Sequence, residues 1–235
     1  MLYIVPTPIG NLQDITLRAL EVLKTADAVL CEDTRRTQIL LSHFGISKPT
    51  YRYNENDDRS LRRCLELLQS GKTCALVSDC GTPCISDPGW KLVREAVTAG
   101  ITVSSLPGPS AVACALAGAG ITGGAFTFLG FLPRKAGKAA KLLANAYALN
   151  IPVVLYESPY RVVKMLTLIG NTLGENTPVI AARELSKVYE EWVRGTAYTL
   201  AQQFSKRKKV QGEFVLIIDR PCAETEEENE TDADF

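Results

Sequence analysis

Short apolar runs alternate with amphipathic stretches along almost the whole chain, and that alternation restricts the fold to a few architectures. Runs suited to buried strands lie at Leu2–Val5, Ala28–Cys31, Cys74–Val77 and Ile101–Leu106, with a weaker one at Thr50–Tyr53. Between them, helical spacing covers Ile15–Thr25, Arg35–Phe44, Asp58–Ser70, Gly89–Ala99 and Ser110–Gly118. After the small-residue stretch Ala117–Ala125 the pattern restarts. Strands are predicted at Phe126–Gly130, Pro152–Tyr156, Val179–Ala182 and Phe214–Asp219, and helices at Gly137–Leu149 and Tyr160–Leu173. Val188–Thr199 fits either state. Such alternation predicts an α/β protein with largely parallel sheets covered on both faces. Two series of strands divided by a Gly/Ala-rich linker favour two α/β domains, 1–121 and 122–222, with the boundary near residue 122.

Charge is unevenly placed. The 26 basic and 26 acidic residues balance, yet seven acids and no base fall within 223–235. That tail is expected to be solvated and disordered. Setting it aside leaves 19 acids against 26 bases, so a polyanionic partner is open to the folded body. An odd number of scattered cysteines, seven in all, argues for a reducing compartment. Cys80 and Cys84 form a lone C-x3-C pair and His43 is the single histidine, which argues against a zinc site. The first residues lack the basic region and apolar core of a signal peptide. The longest apolar stretch, Val112–Phe126, is too short and too rich in Gly and Ala to span a bilayer. The expectation is a cytoplasmic protein that does not enter membranes.

The loops at strand ends carry the unusual residues. Ser78–Gly89, with two Asp, two Pro and two Gly, is longer than a strand-to-helix connection needs and reads as a binding loop. Pro6-Thr7-Pro8-Ile9-Gly10-Asn11-Leu12-Gln13-Asp14 combines stiff prolines with a permissive glycine, and Asp14 is a suitable N-cap for the next helix. Neither G-x-G-x-x-G nor G-K-[ST] occurs, so dinucleotide and Walker phosphate loops are excluded. In Cys31–Thr37, Asp33 or Thr34 can cap a helix, but Arg35 and Arg36 would stand near its positive end, where an anionic ligand suits them better. Pro107-Gly108-Pro109 turns into a helix of tiny residues, which suits close approach of a ligand or of another backbone. Tyr156–Arg161 and Arg183–Lys187 each set an acid beside bases after a strand. The basic run Lys206–Lys209 fits a solvated face or a phosphate contact. One histidine, in a helical segment, argues against a His-based triad and for a carboxylate or lysine as general base.

Read in order, seven motifs form a known set: Pro6-Thr7-Pro8-Ile9-Gly10-Asn11-Leu12, Cys31-Glu32-Asp33-Thr34-Arg35, Ser78-Asp79-x-Gly81-Thr82-Pro83-x-Ile85-x-Asp87-Pro88-Gly89, Pro107-Gly108-Pro109, Gly130-Phe131-Leu132-Pro133-Arg134-Lys135, Glu157-Ser158-Pro159-x-Arg161 and Arg183-Glu184-Leu185-x-Lys187. Over residues 2 to 219 the chain resembles the bacterial small-subunit (16S) ribosomal RNA cytidine-2′-O-methyltransferases of the tetrapyrrole methylase superfamily. The resemblance implies two α/β domains with S-adenosyl-L-methionine in a cleft between them, usually in a homodimer. It places the cofactor against Ile9, Asp79, Gly81, Thr82, Ser110 and Ala111, with Tyr156 and Gly212 from the second domain. The reaction it implies moves the sulfonium methyl to a cytidine ribose 2′-hydroxyl in ribosomal RNA or the small ribosomal subunit. Glu32, Asp33, Glu157, Glu184 and Lys187 are then candidate catalytic groups, and Arg35, Arg36, Arg134, Lys135, Arg161 and Arg183 candidate RNA contacts. Longer members of the resembled family carry a C-terminal extension, whereas this chain follows the Phe214–Asp219 strand with the acidic tail. Two other functions stay open. One is methylation of a tetrapyrrole or other small molecule on the same fold. The other is a non-catalytic RNA-binding factor in ribosome assembly.

Overall fold

The computed structural model describes residues 1–121 and 124–220. The expected boundary near residue 122 and the acidic tail lie outside the described residues. Two compact units are formed: Met1–Ala115 together with Glu184–Glu191, and Leu116–Arg183 together with the chain from Trp192 onward.

The first unit is built on a parallel five-stranded sheet. In chain order its strands are β1 (Leu2–Val5), β2 (Ala28–Cys31), β3 (Thr50–Arg52), β4 (Cys74–Val77) and β5 (Val103–Ser105). They lie in the order β3-β2-β4-β1-β5, and every recorded pairing is parallel. Both faces are covered, which explains why β2 and β4 are unbroken apolar runs with every residue buried. Alternate side chains feed two cores. Val5, Val29, Cys31, Ala75 and Val77 pack with Ala19, Val22 and Leu23 of α1 (Leu17–Thr25) and Leu41 of α2 (Thr34–His43). Leu2, Ile4, Ala28, Leu30, Cys74 and Leu76 pack with Cys64 and Leu68 of α3 (Asp58–Gln69) and Leu92 and Ala96 of α4 (Trp90–Thr98). Each fully buried leucine contributes about 2 kcal/mol by transfer alone. Because the strands run parallel, the segments after β1, β2, β3, β4 and β5 all leave from the same sheet edge.

Local capping sets where the helices begin. Asp33 and Asp57 accept backbone N–H bonds at the starts of α2 and α3. Asp14 does not cap α1. A 3-10 turn over Leu12–Asp14 and an extended Ile15 delay the helix, and Thr16 accepts the Ala19 N–H instead.

The second unit departs from the predicted parallel pattern. Its strands are β6 (Thr127–Phe131), β7 (Val153–Glu157), β8 (Pro178–Arg183), β9 (Glu191–Thr196) and β10 (Phe214–Ile218), ordered β6-β7-β10-β8-β9. β6 and β7 are parallel, but β10 inserts antiparallel to both β7 and β8. An apolar run carries no record of strand direction, so this sheet is mixed rather than largely parallel. After α5 (Ala111–Ala119), the core of this sheet is filled from α6 (Ala136–Tyr147), α7 (Val162–Leu173) and α8 (Ala197–Ser205), with Phe204 and Phe214 edge to face at 5.4 Å. The stretch that fitted either state contains both. It runs as β9 to Thr196 and then enters α8 through a capping box of Thr196 and Thr199.

Candidate active site

Three loops at the carboxyl edge of the first sheet are bound to one another. Thr7 and Gly81 form an isolated antiparallel bridge, Thr7 N–H to Gly81 O at 2.9 Å and Gly81 N–H to Thr7 O at 3.0 Å. The Thr7 hydroxyl donates to Ser78 O at 3.0 Å, and the Ser78 hydroxyl donates to Gly81 O at 2.8 Å. Both side chains are buried, so these bonds offset the loss of water. From the third loop, Pro109 O accepts the Thr82 hydroxyl at 2.9 Å, while the Cys80 thiol points to Ile9 O at 3.4 Å. Gly81 is required by its backbone: φ is +84°, whereas a Cβ would make only ordinary contacts, 3.4 Å from Ile9 Cγ2 and 3.7 Å from Pro109 O. Ile9, Gly81, Thr82 and Pro109, which adjoins Ser110 and Ala111, therefore gather around one backbone-lined point.

Asp79 ties this cluster to the loop after β2. Its carboxylate accepts the Asp33 N–H at 3.3 Å and lies 3.5 Å from the Arg36 guanidinium. Asp33 itself caps α2 through Arg35 N–H at 2.9 Å and takes two bonds from the Arg35 guanidinium, at 3.1 and 2.8 Å. Those bonds hold its carboxyl down at about 2 against an ordinary 3.8. Arg35 thus answers a charge on its own helix, while its side chain stays 88% exposed. Glu32 is exposed. The 184–191 segment reaches the first loop as well. The Lys187 stem covers Gly10, its ammonium meets Glu184 at 2.8 Å, and the Ser186 hydroxyl bonds to Asp14. Glu184 and Ser186 adopt φ of +52° and +64° to make this tight fold-back.

Within the second unit, Glu157 is buried. One carboxylate oxygen accepts Ser158 N–H at 2.7 Å, and the other lies 3.5 Å from Arg161, which also donates to Leu132 O at 3.1 Å. Arg134, Arg161 and Lys164 line a groove of about 240 Å³, with Lys135 exposed next to it in sequence. Arg183 is turned instead to Gln211 O. Tyr156 packs on Phe128 and Phe131 at centroid distances of 4.9 and 5.6 Å. Gly212 turns the chain into β10 at φ +89°.

The family model for Tetrapyrrole (Corrin/Porphyrin) Methylases matches residues 1–201. Ribosomal RNA small subunit methyltransferase I of Hydrogenobaculum sp. (strain Y04AAS1) is 42% identical over 222 residues, 93% of this chain and 95% of that protein. The chain belongs to this methyltransferase family. Among solved structures, the cobalamin biosynthetic enzyme cobalt precorrin-4 methyltransferase aligns at a TM-score of 0.70, 19% identity and coverage of 92% and 93% of the two chains. Uroporphyrin-III C-methyl transferase from Thermus thermophilus, complexed with S-adenyl homocysteine, aligns at 0.64 with 18% identity and coverage of 92% and 96%. These two neighbours share the tetrapyrrole methylase fold.

For a tetrapyrrole methylase, the first unit thus brings Ile9, Asp79, Gly81 and Thr82 together with Asp33, its neighbour Glu32 and Arg36, and sets Lys187, paired with Glu184, over Gly10. Sequence reasoning missed the residues that hold the cluster in shape. Thr7 sits between two prolines, a signal of an extended, rigid loop whose hydroxyl has one place to go. Glu55 gave no local signal, yet its carboxylate accepts Gly89 N–H at 2.9 Å and its carbonyl accepts the Lys91 ammonium at 3.0 Å. Those bonds close the far end of the long loop, where a Cβ on Gly89 would lie 2.6 Å from Cys84 Sγ. No helix among the described residues is long and apolar enough to cross a membrane.

Proposed function

We propose that this chain transfers the methyl group of S-adenosyl-L-methionine to the ribose 2′-hydroxyl of a cytidine in small-subunit ribosomal RNA. The observation that carries this reading is the interlocked cluster of Thr7, Gly81, Thr82 and Pro109 with the Asp79 carboxylate, in a chain whose relatives are named for small-subunit ribosomal RNA. The cluster suits the cofactor because it gathers an apolar side chain, Ile9, the Asp79 carboxylate and the bare backbone of Gly81 from loops bonded to one another. Ile9, Asp79, Gly81, Thr82, Ser110 and Ala111 would hold it. When bound, it supplies a methyl group on a positive sulfonium, so the protein's main task is alignment of the acceptor oxygen.

The acceptor hydroxyl must lose a proton, and the geometry sorts the five candidate groups. Asp33 is bound to Arg35 and held at about 2, which makes it a poor base. Glu157 is buried against Ser158 and Arg161 and acts as a positioning residue for that arginine. Glu184 and Lys187 pair with each other and brace the Gly10 loop. Glu32, exposed and next to the backbone N–H that Asp79 accepts, is our choice of base. Arg35, Arg36, Arg134, Lys135 and Arg161 would contact RNA phosphates, and Arg183 would reach one only by leaving Gln211. The protein would work as a homodimer in the cytoplasm, and the domains would divide near residue 122.

Incubation with methyl-labelled S-adenosyl-L-methionine and unmodified small ribosomal subunits, followed by nucleoside digestion, tests the reading. Label is expected in 2′-O-methylcytidine. Cofactor binding without label in RNA would refute it and point to a small-molecule acceptor.

A further inference from the structure

A second cationic site lies in the first unit, away from the loop cluster. Arg52 at the end of β3, Asn54 and Asp57 in the following turn, and Arg59, Ser60 and Arg63 on α3 line a groove of about 270 Å³. Its floor is rigid: Asn54 N–H donates to the Ser60 hydroxyl at 2.8 Å, and that hydroxyl donates to Arg52 O at 3.2 Å. The Arg63 guanidinium lies over the Tyr51 ring, 4.8 Å from its centroid. The groove's one carboxylate, Asp57, accepts Arg59 N–H at 3.0 Å as the cap of α3. Among the described residues none of the three guanidinium groups makes an ion pair. Three exposed guanidinium groups share this groove with a single carboxylate, which leaves an excess of positive charge on one small surface. A bound polyanion would neutralise that excess.

We infer that the Arg52–Arg59–Arg63 groove grips RNA phosphates on the strand flanking the methylated nucleotide. This inference rests on the RNA-methylation reading above. Its placement favours RNA backbone over an isolated small anion. Arg52 pairs in register with Cys31, the residue immediately before Glu32. The groove is therefore at the same carboxyl edge of the parallel sheet, one strand outward from the Glu32–Arg36 loop and two from the Asp79 loop. Neighbouring strands are spaced about 4.8 Å apart, so a strand of RNA lying along this edge meets both places. Arg35 and Arg36 follow β2, the strand between β3 and β4. Planar guanidinium groups suit phosphate oxygens, which they can bind in bidentate fashion.

The test compares wild type with the double variant R52Q/R63Q, using a short fluorescein-labelled single-stranded RNA in anisotropy titrations over a salt series. Variant R18Q/K24Q removes the same charge from α1 as a control, and R52K/R63K restores charge at the groove. R52Q/R63Q is expected to bind about tenfold more weakly, with a log–log salt slope shallower by about 1.4, or about 0.7 for each lost contact. The control should stay near wild type and the lysine variant should recover much of the loss. Four results would overturn the inference: equal binding by wild type and R52Q/R63Q, no RNA binding by either, an equal loss in R18Q/K24Q, or displacement of the RNA by a glutamate-rich peptide as readily as by unlabelled RNA. The last would assign the groove to acidic proteins. Methyl transfer to small subunits is scored separately. A groove-dependent RNA affinity in a protein that methylates no RNA would refute the parent reading and still support the groove.

Discussion

Thr7 and Gly81 exchange both of their backbone hydrogen bonds although 73 residues of chain lie between them. The bridge holds the loop after β1 against the loop after β4. Gly81→Ala forces a Cβ onto a backbone at φ +84° and against Ile9 Cγ2. It is expected to cost about 1–2 kcal/mol of stability. Cofactor affinity should fall more than tenfold. Urea denaturation and calorimetric titration with S-adenosyl-L-methionine check the two effects, and unchanged cofactor affinity would separate the bridge from the binding site.

The Asp33 cap gives a pH signature. Its folded-state pKa of about 2 lies below the ordinary 3.8, because Arg35 favours the ionised form. Ionised Asp33 therefore stabilises the fold above about pH 4, and that contribution fades as the pH falls through 4 towards 2. Asp33→Asn keeps a capping side chain but does not titrate. The gap between wild-type and D33N urea midpoints should be present at pH 5 and close as the pH approaches 2. A gap that is constant over this range would show that Arg35 does not hold the carboxylate in solution.

Gly10 and Lys187 should act as one unit, because a Cβ on Gly10 would occupy the path of the lysine stem. The Cβ would stand 2.3 Å from Lys187 Cγ, near the root of that side chain, and 3.1 Å from Leu185 O, so Gly10→Ala is expected to cost about 1–3 kcal/mol of stability. If the lysine braces the Pro6–Asp14 loop, G10A and K187A should each raise the KM for S-adenosyl-L-methionine severalfold, and the double variant should do little more. Fully additive effects in the double-mutant cycle would argue that Lys187 acts elsewhere.

Arg161 and Glu157 predict a split between binding and stability. Arg161→Ala should weaken RNA binding about tenfold while leaving cofactor binding unchanged; equal loss of both would count against a phosphate contact. Glu157→Ala removes a buried carboxylate that takes Ser158 N–H and faces Arg161. It should lower stability by about 2 kcal/mol, below the ~3–5 kcal/mol of a fully buried pair because Arg161 is partly exposed. Thermal melts beside filter-binding titrations distinguish the two roles.

Exchange of Glu32 tests the proton acceptor directly. Glu32→Gln should cut kcat about a hundredfold with both substrate affinities retained, the range expected for losing a general base. An unchanged kcat would move the role to the Glu184–Lys187 pair.

What the residues by themselves determined is local. Unbroken apolar runs such as Ala28–Cys31 and Cys74–Val77 marked strands buried on both faces, and periodic spacing marked the helices within one or two residues at most ends. The dense Ser78–Gly89 loop and the ordered set of motifs were enough to point to the methyltransferase family. Tertiary structure alone decided the rest. It set β10 antiparallel between β7 and β8, drew Glu184–Glu191 onto the first unit, moved the α1 cap from Asp14 to Thr16, and collected Arg52, Arg59 and Arg63 around one groove. Periodicity records which face of an element avoids water, because burial acts on each residue where it stands. Pairings such as Thr7 with Gly81 join distant segments, and their partners are chosen only when the packed sheet has brought the chain ends of its strands to one edge.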